Sequence, residues 1–298
     1  MPPNQHLRQE PNIGAIGEEH HIPPFHRVGI VGVGLIGGSI GMAIRRRSLA
    51  EEVIGIDSDA EVLQRAKLRG AIDEGSLDLE HLSESEVVIF ASPMGSLTEL
   101  MGKAAKYVGT SATVTDVGSV KGRIVEYGDQ LFGPRFVGGH PMAGSEVSGI
   151  DAARPDLFEG APWVLVTQHI ESKVHLESFE RISRMVSAIG ARPVPLTAED
   201  HDRLIALVSH LPHALSFAFA RSVASDPSSS DAIDISGASY RDLTRVSRSH
   251  PELWADIMLS NSSCLLAALA SFEHSLDHVR RAIESGDRRS LVALLKSK

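Results

Sequence analysis

The sequence has 298 residues, of which 42% are hydrophobic and 22% are charged, a composition typical of a soluble globular chain with about two domains. Its formal net charge of −9 argues against nucleic acid and anionic membranes as partners, because both would repel it. The single cysteine, Cys264, excludes an intrachain disulfide and is compatible with a reducing compartment, so we expect a cytoplasmic protein.

Residues 1–26 are polar and contain several prolines and histidines but no hydrophobic signal core, so we expect a disordered tail. The histidines of this tail have nothing to fix their geometry, and we predict no metal site there or elsewhere. Apolar runs stay below 18 residues, so a membrane span is not expected either.

The first chemically specific feature is the segment VGIVGVGLIGG, residues 28–38. A β-branched run leads into Gly32-x-Gly34-x-x-Gly37, which is followed by a helical pattern. This arrangement is typical of the strand, turn and helix that bind a dinucleotide pyrophosphate. A second apolar run ends in Asp57, where a carboxylate can accept hydrogen bonds from a ribose diol. Asp57 would repel a 2′-phosphate, so the sequence predicts NAD rather than NADP.

Up to residue 197 the chain alternates strand and helix patterns, which predicts a Rossmann-type, doubly wound α/β domain over residues 27–197 with a mostly parallel sheet. The predicted strands are Val28–Val31, Val53–Ile56, Val87–Ala91, Ala112–Thr115, Phe136–Val137, Trp163–Val166 and Val194–Leu196. The predicted helices are Ile36–Arg46, Ala60–Arg69, Leu97–Tyr107, Val120–Leu131 and Lys173–Ile189. Ser92 and Pro93 are expected to be the N-cap and the first residue of the third helix.

Residues 198–298 contain only helical patterns, which predicts an all-helical C-terminal domain. Long apolar helices such as Ala255–Ala270 exceed what a small domain must bury, so we expect them to form a homodimer interface. A monomeric helical bundle is the alternative. Pro212 is expected to kink a long helix in this domain, and His201 is interpreted as a helix-start residue.

The sharpest catalytic candidate is His140, which follows a short strand and two glycines at the expected carboxyl edge of the sheet. An imidazole there suits removal of a proton from a hydroxyl as hydride leaves the same carbon. A structural histidine that bonds a loop carbonyl is the alternative. Ser119 heads the predicted helix Val120–Leu131, where it could be an N-cap, an orienting hydroxyl, or both.

Two further groups lie in the helical domain. His210 and His213 are spaced to share a helix face, which suits zinc as well as a substrate contact. Because the sequence lacks a Cys cluster or HExxH pattern that would complete a metal site, we expect the substrate contact. Arg245 belongs to a run of arginines that is most often a solvated face, although an acidic protein needs a bidentate arginine to bind a carboxylate substrate. Trp254 offers an apolar wall nearby.

Five blocks in order make the chain resemble the prephenate/arogenate (cyclohexadienyl) dehydrogenases of tyrosine biosynthesis: VGVGLIGGS, TDVGSVK, GGHPMAGSE, HDRLIALVSHLPH and RDLTRVSRSHPELW. The resemblance covers about residues 26–285. It implies an NAD-dependent oxidative decarboxylation of prephenate, arogenate or both. Because little chain lies outside this region, we expect a stand-alone catalytic core.

The resemblance also implies residue roles. His140 would accept the proton of the ring hydroxyl, with Ser119 orienting both groups. Four residues would bind or shape the substrate: His213, Arg245, Glu146 and Trp254. NAD would contact Gly32, Gly34, Leu35, Ile36, Gly37, Asp57, Ser92 and Pro93.

Two other functions stay open from the sequence. A β-hydroxyacid dehydrogenase shares the two-domain layout but normally needs a catalytic lysine in the helical domain, where the only lysines after Ala198 are Lys296 and Lys298. A non-catalytic NAD-sensing protein would have no reason to retain Ser119, His140 and Arg245 together.

Overall fold

A computed structural model describes residues 25–145, 147–167 and 172–296 of the chain. Strands and helices alternate as far as Leu196, and the described residues from Ala198 onward form helices only. The fold class expected from the sequence is thereby confirmed. Most of the predicted tail, and the substrate candidate Glu146, lie outside the described residues.

The larger sheet is parallel and has six strands in the order β3-β2-β1-β4-β5-β6, so the strand order reverses between β1 and β4. Its strands are β1 (Phe25–Val31), β2 (Ala50–Ile56), β3 (Glu74–Ser76), β4 (Val87–Phe90), β5 (Thr113–Asp116) and β6 (Phe136–Val137). The edge strand β3 was not predicted, because its sequence, Glu-Gly-Ser, contains no apolar run.

The last three strands form a separate small sheet, which corrects the expectation of one sheet. They are β7 (Gly139–Pro141), β8 (Pro162–Val166) and β9 (Arg192–Leu196); β7 is antiparallel to β8, and β8 is parallel to β9. The chain changes sheets at Gly138, whose carbonyl accepts a hydrogen bond from the N–H of Val166 in β8. Strand β7, and His140 within it, therefore leave the large sheet at its carboxyl edge.

Helices cover both faces of the large sheet: α1 (Leu35–Arg46), α2 (Ala60–Leu68), α3 (Met94–Ala104), α4 (Gly122–Phe132) and α5 (Lys173–Ala188). Successive strand residues alternate between two apolar clusters. Ile30 and Ile89 pack with residues of α1, α2 and α5, while Val31 and Phe90 pack with residues of α3 and α4. Burial on both faces explains why these strands are nearly continuous apolar runs.

The helical region comprises α6 (Ala198–Ile205), α7 (Leu211–Ala224), α8 (Ser229–Asp234), α9 (Ala238–Thr244), α10 (Pro251–Ser260), α11 (Ser262–Glu284) and α12 (Arg288–Leu295). One π-helical turn, Ala206–His210, joins α6 to α7, and the expected disturbance near Pro212 takes this form. Helices α10 and α11 meet at Asn261 with a bend of 94°. The two irregularities are in contact, because the side chain of Asn261 at the bend hydrogen-bonds to His210 of the π-turn.

The glycine turn after β1 yields a stability prediction. A Cβ at Gly37 would lie 2.0 Å from the carbonyl oxygen of Gly32, a backbone atom that cannot move aside cheaply. We expect Gly37→Ala to lower the free energy of unfolding by about 2–3 kcal/mol or more in urea denaturation. Gly34→Ala is the matched control, because a Cβ there meets only open space among the described residues. As a replacement at the N-cap of α1, it should cost no more than about 1 kcal/mol. Equal losses in the two variants would contradict this packing argument.

Candidate active site

The turn between β1 and α1 has the shape of a phosphate cradle. Gly32 adopts φ +92°, which side-chain-bearing residues rarely do, and a Cβ there would lie 2.8 Å from the backbone of Ala91 and Ser92. Helix α1 begins at Leu35 after Gly34, and none of the side chains that the structure describes caps it. The N–H groups of its first turn, at Leu35, Ile36 and Gly37, have no acceptor within the helix. They can therefore donate hydrogen bonds to a bound anion such as a phosphate.

Two polar side chains flank this cradle. The carboxylate of Asp57 accepts hydrogen bonds from the N–H groups of Val33 (2.9 Å) and Asp59 (3.2 Å), and its half-buried position leaves room for a further donor such as a ribose hydroxyl. The Oγ atom of Ser92, at the carboxyl end of β4, is buried and has no hydrogen-bond partner among the described residues. A carboxylate and an orphaned hydroxyl at the point where strand order reverses fit a bound dinucleotide.

The structure corrects one local expectation here. Helix α3 begins at Met94, so the exposed Pro93 occupies the N-cap position and Ser92 lies one residue before it. Proline offers no side-chain acceptor, and Ser92 turns its hydroxyl inward instead of capping the helix. Ser92 is therefore available to a ligand.

His140 is the centre of a buried polar cluster. It is 9% exposed, and it pairs with Val164 across the small sheet. Its Nδ1 atom lies 2.8 Å from Nε2 of His201, with the two rings edge to face. His201 lies near the start of α6, as expected, four residues after the capping Thr197. Its side chain is completely buried and belongs to this cluster, which the sequence analysis did not anticipate.

Asp202 joins the helical region to the α/β region. Its carboxylate accepts hydrogen bonds from the backbone N–H groups of Lys121 and Gly122, each at 2.8 Å, and lies 2.7 Å from Nδ1 of His201. Asp202 accepts hydrogen bonds from the first N–H groups of α4, and the N-cap position of that helix is Lys121. Of the two roles considered for Ser119, the N-cap role is therefore excluded. Ser119 instead lies, half-buried, in the loop that Asp202 holds at its other end.

Lys121 is a buried cation that the sequence analysis did not single out. Its ammonium contacts the carboxylate of Asp116 and donates a hydrogen bond to the carbonyl of Gly139 at 2.7 Å. The N–H of Gly139 in turn donates to Asp116 at 3.1 Å. The Lys121–Asp116 pair thus fixes the residue immediately before His140 against the carboxyl end of β5.

Burial dominates the protonation states in this cluster. Burial, and then the neighbouring charges of His201, Lys121 and His210, hold the pKa of His140 well below its usual value of 6.5. Burial also lowers the pKa of His201 and of Lys121, against the opposing effects of Asp202 and Asp116 respectively. Burial opposes ionisation of Asp202, but hydrogen bonds from His201, Lys121 and Gly122 keep its pKa below the ordinary value. The imidazoles are therefore neutral at pH 7 and Asp202 is charged.

A second group of side chains adjoins the first. The side-chain amide of Asn261 donates hydrogen bonds to the carbonyl of Asp202 (2.8 Å) and to Nδ1 of His210 (3.2 Å). Burial lowers the pKa of His210 to about 4. His213 stacks on Trp254 with the ring centroids 3.5 Å apart, and His210 meets the edge of the same indole.

Arg245 belongs to this second group. Burial lowers the pKa of His213, and the nearby positive charge of Arg245 adds to this effect, so the structure brings together His213, Trp254 and Arg245. Arg245 is exposed in a single chain. No group of three or more His, Cys, Asp or Glu side chains within the described ranges could hold a metal ion.

The arrangement can perform one kind of chemistry well. A neutral, buried imidazole next to a dinucleotide-type crevice can accept a proton from a substrate hydroxyl. The stacked His213–Trp254 pair and Arg245 can bind a planar or carboxylate-bearing substrate. The sequence analysis proposed His140, Ser119, His213, Arg245 and Trp254 as site residues, and these roles stay predictions. It gave no site role to five neighbouring residues of the polar cluster: Lys121, Asp116, His201, Asp202 and Asn261.

Comparison with known proteins gives matches over both regions. A family model described as "Prephenate dehydrogenase, nucleotide-binding domain" matches residues 40–194, and one described as "Prephenate dehydrogenase, dimerization domain" matches residues 197–297. The chain is 32% identical to prephenate dehydrogenase of Bacillus subtilis over 273 residues, which are 90% of this chain and 73% of that protein.

Solved structures give the same result. The structure is similar to that of prephenate dehydrogenase from Aquifex aeolicus in complex with hydroxyphenyl propionate and NAD⁺, with a TM-score of 0.84, 34% identity and coverage of 91% and 94% of the two chains. It is also similar to arogenate dehydrogenase from Synechocystis, with a TM-score of 0.79, 30% identity and coverage of 90% and 96%.

Proposed function

Because the chain belongs to the prephenate dehydrogenase family, we propose that it catalyses the NAD-dependent oxidative decarboxylation of prephenate, arogenate or both, a step of tyrosine synthesis. The observation that carries the proposal is His140, a neutral and buried base placed at the carboxyl edge of a dinucleotide-binding sheet. Matches to both domains of this family favour it over a β-hydroxyacid dehydrogenase or an NAD-sensing protein.

The cofactor site is assigned to the cradle and its flanks. The first turn of α1 would hold the pyrophosphate, Asp57 the adenosine ribose, and Ser92 the part of the cofactor that reaches the strand-order reversal. Pro93 would line the same crevice. Bound NAD⁺ supplies the acceptor for the hydride that leaves the ring carbon bearing the hydroxyl.

His140 would accept the proton of that hydroxyl as the hydride leaves, and Ser119 would orient the hydroxyl from the neighbouring loop. Loss of the ring carboxylate as CO₂ leaves its bonding electrons in the ring, which becomes a phenolate. The proton held by His140 can then return to the phenolate oxygen, so the base is regenerated. Decarboxylation itself needs little help, because it makes the ring aromatic.

The second group of side chains would hold the substrate's side chain and carboxylates. Arg245 offers a bidentate fork for a carboxylate, and His213 stacked on Trp254 forms a wall of the pocket. Glu146, outside the described residues, is proposed to contribute from the loop after His140. An acidic group near the substrate's side chain would favour the ammonium of arogenate over the keto group of prephenate.

A homodimer through the C-terminal helices is part of the proposal. Helices α6 to α11 and the π-turn expose large apolar side chains, including Leu207, Val208, Phe219, Leu243, Leu253, Leu259, Leu266, Leu276 and Ile283. The stretch Ala198–Ala224 is apolar and long enough to cross a membrane by composition alone, with 22% of its most apolar window buried in one chain. A second copy of the chain covers such surfaces in a cytoplasmic enzyme.

The direct test of the proposed function is NADH formation at 340 nm with prephenate and arogenate, each assayed with NAD and with NADP. We expect turnover with NAD and at least one substrate, and the ratio of kcat/KM values ranks the two substrates. Silence with all four pairs, in protein shown to bind NAD, would overturn the proposal.

Replacing the proposed base gives the sharpest mutational prediction. We expect His140→Asn to lower kcat by about 10²–10⁴-fold, because the amide cannot take up the hydroxyl proton. NAD affinity, measured by calorimetry, should change little. His175→Asn, which alters a buried histidine of α5, is the control for loss of a buried imidazole. Parallel loss of turnover and NAD binding in His140→Asn would remove His140 from this role.

The lowered pKa of His140 predicts the pH profile. The neutral imidazole is the active form, and it stays neutral until the pH falls below 6.5, the usual histidine pKa. The acid limb of kcat/KM with saturating NAD should therefore have its midpoint below pH 6.5. If the midpoint lies above pH 6.5, and the residual activity of His140→Asn lacks this acid limb, the titrating group is His140 and its pKa is not lowered. That result would contradict the effect of burial on this group.

The exposed apolar helices predict the oligomeric state. Sedimentation equilibrium should give twice the chain mass of 32.0 kDa at micromolar concentration. Leu266→Asp places a charge on an exposed apolar position of α11 and should weaken the association. Leu68→Asp on α2, at a position that is even more exposed, is the control outside the helical region. A monomer with full activity would contradict a dimeric enzyme.

A further inference from the structure

His140, His201 and Asp202 form a buried chain of hydrogen-bonded side chains, of which the proposed reaction uses only His140. Nδ1 of His140 lies 2.8 Å from Nε2 of His201, and Nδ1 of His201 lies 2.7 Å from the carboxylate of Asp202. His201 is completely buried, and Asp202 is 8% exposed. A proton acceptor needs only one of its two ring nitrogens free, so what binds the other nitrogen determines whether His140 can act.

The positions of the protons follow from the partners. Asp202 accepts hydrogen bonds from the N–H groups of Lys121 and Gly122, so it is an ionised acceptor and His201 must donate to it from Nδ1. A neutral His201 then has a lone pair on Nε2, which can only accept. His140 must donate from Nδ1, and its own Nε2 carries the free lone pair.

We propose that His201 is a positioning residue that holds His140 in the tautomer with Nε2 unprotonated, the nitrogen that takes the hydroxyl proton in the reaction proposed above. The inference rests on that proposed function for its catalytic consequence, but the tautomer itself is a property of the protein without substrate. An orienting group that fixes the tautomer of a catalytic histidine is a general device, here built from a second histidine and a carboxylate.

The charged neighbours favour this assignment. His201 faces Asp202 on its own helix, Lys121 and Asp116 from the β5–α4 region, and His140 from β7. Lys121 repels a proton on either ring, whereas Asp202 and Asp116 attract one to His201. Two neutral imidazoles are compatible with these opposing charges. If His140 donates to His201 and His201 donates to Asp202, both hydrogen bonds of the chain have one donor and one acceptor.

A purely structural role for His201 is the competing explanation. The side chain fills a buried site, and its removal would leave a cavity whether or not the tautomer matters. The two explanations separate through substitutions that differ in their acceptor. His201→Gln retains an acceptor oxygen near the position of Nε2, whereas His201→Leu fills similar volume without one.

The first experiment reads the tautomer directly, by two-bond ¹H–¹⁵N correlation spectra of the protein without ligands. The His140 signal is assigned by its loss in His140→Asn. We expect the Nδ1–H form in the wild type and in His201→Gln, and an increased share of the Nε2–H form in His201→Leu. An Nε2–H wild-type His140 would overturn the proposal even if neither His201 variant folds.

The second experiment measures kinetics. We expect His201→Leu to lower kcat about 100-fold with little change in KM or NAD affinity, and His201→Gln to recover at least a tenfold part of the loss. His175→Leu controls for removing a buried histidine elsewhere. Equal kcat values for the Leu and Gln variants, with both folded, would overturn the positioning role. Absence of turnover in the wild type, together with an Nδ1–H His140, would instead refute the proposed function and leave the tautomer assignment intact.

Discussion

One carboxylate holds the two halves of this molecule in register. Asp202 lies on the first helix of the helical region, yet it caps α4 of the α/β region through the N–H groups of Lys121 and Gly122, 81 and 80 residues earlier in the chain. The same carboxylate binds His201, which contacts His140. The loop that carries Ser119 and the strand that carries His140 are therefore positioned by one residue from the opposite region. A small rotation between the regions would break all of these hydrogen bonds together.

A buried ion pair adds a further constraint at the same place, within the α/β region. Lys121 and Asp116 are both fully buried, and such pairs contribute little net stability, because desolvation offsets most of the Coulomb attraction. Their value lies in specificity. Asp116 also accepts hydrogen bonds from the N–H groups of Gly118 and Gly139, and Lys121 donates one to the carbonyl of Gly139. Few other arrangements of these residues would give both charged groups all their hydrogen bonds. Rigid placement of a base to within a few tenths of an ångström needs this kind of constraint.

The sequence predicted the parts of the site that local patterns encode. The glycine turn, Asp57 and the apolar strands depend on residues close together in the chain, and His140 stands out beside two glycines. The contacts between His140 and His201, 61 residues apart, carry no local pattern. One signal was available: Ala198, His201, Asp202 and Ile205 follow the spacing of a buried helix face, and all four are buried. Polar residues at core-facing positions indicate buried polar partners. The sequence analysis placed His201 at a helix start but did not consider which face of the helix it occupies. The small sheet was missed because β7 has only three residues, two of them Gly and Pro.

Burial of the proposed base has consequences for both halves of the reaction. A histidine with a lowered pKa is a weaker base, yet it is fully unprotonated at neutral pH and so is always ready to accept a proton. Hydride departure acidifies the hydroxyl while the proton is moving, which offsets the weaker basicity. The protonated form of His140 is a stronger acid than an ordinary imidazolium, and the phenolate left by CO₂ loss has the proton affinity of a group with a pKa near 10. Return of the proton is therefore strongly downhill, and the neutral His140–His201–Asp202 chain is restored for the next substrate.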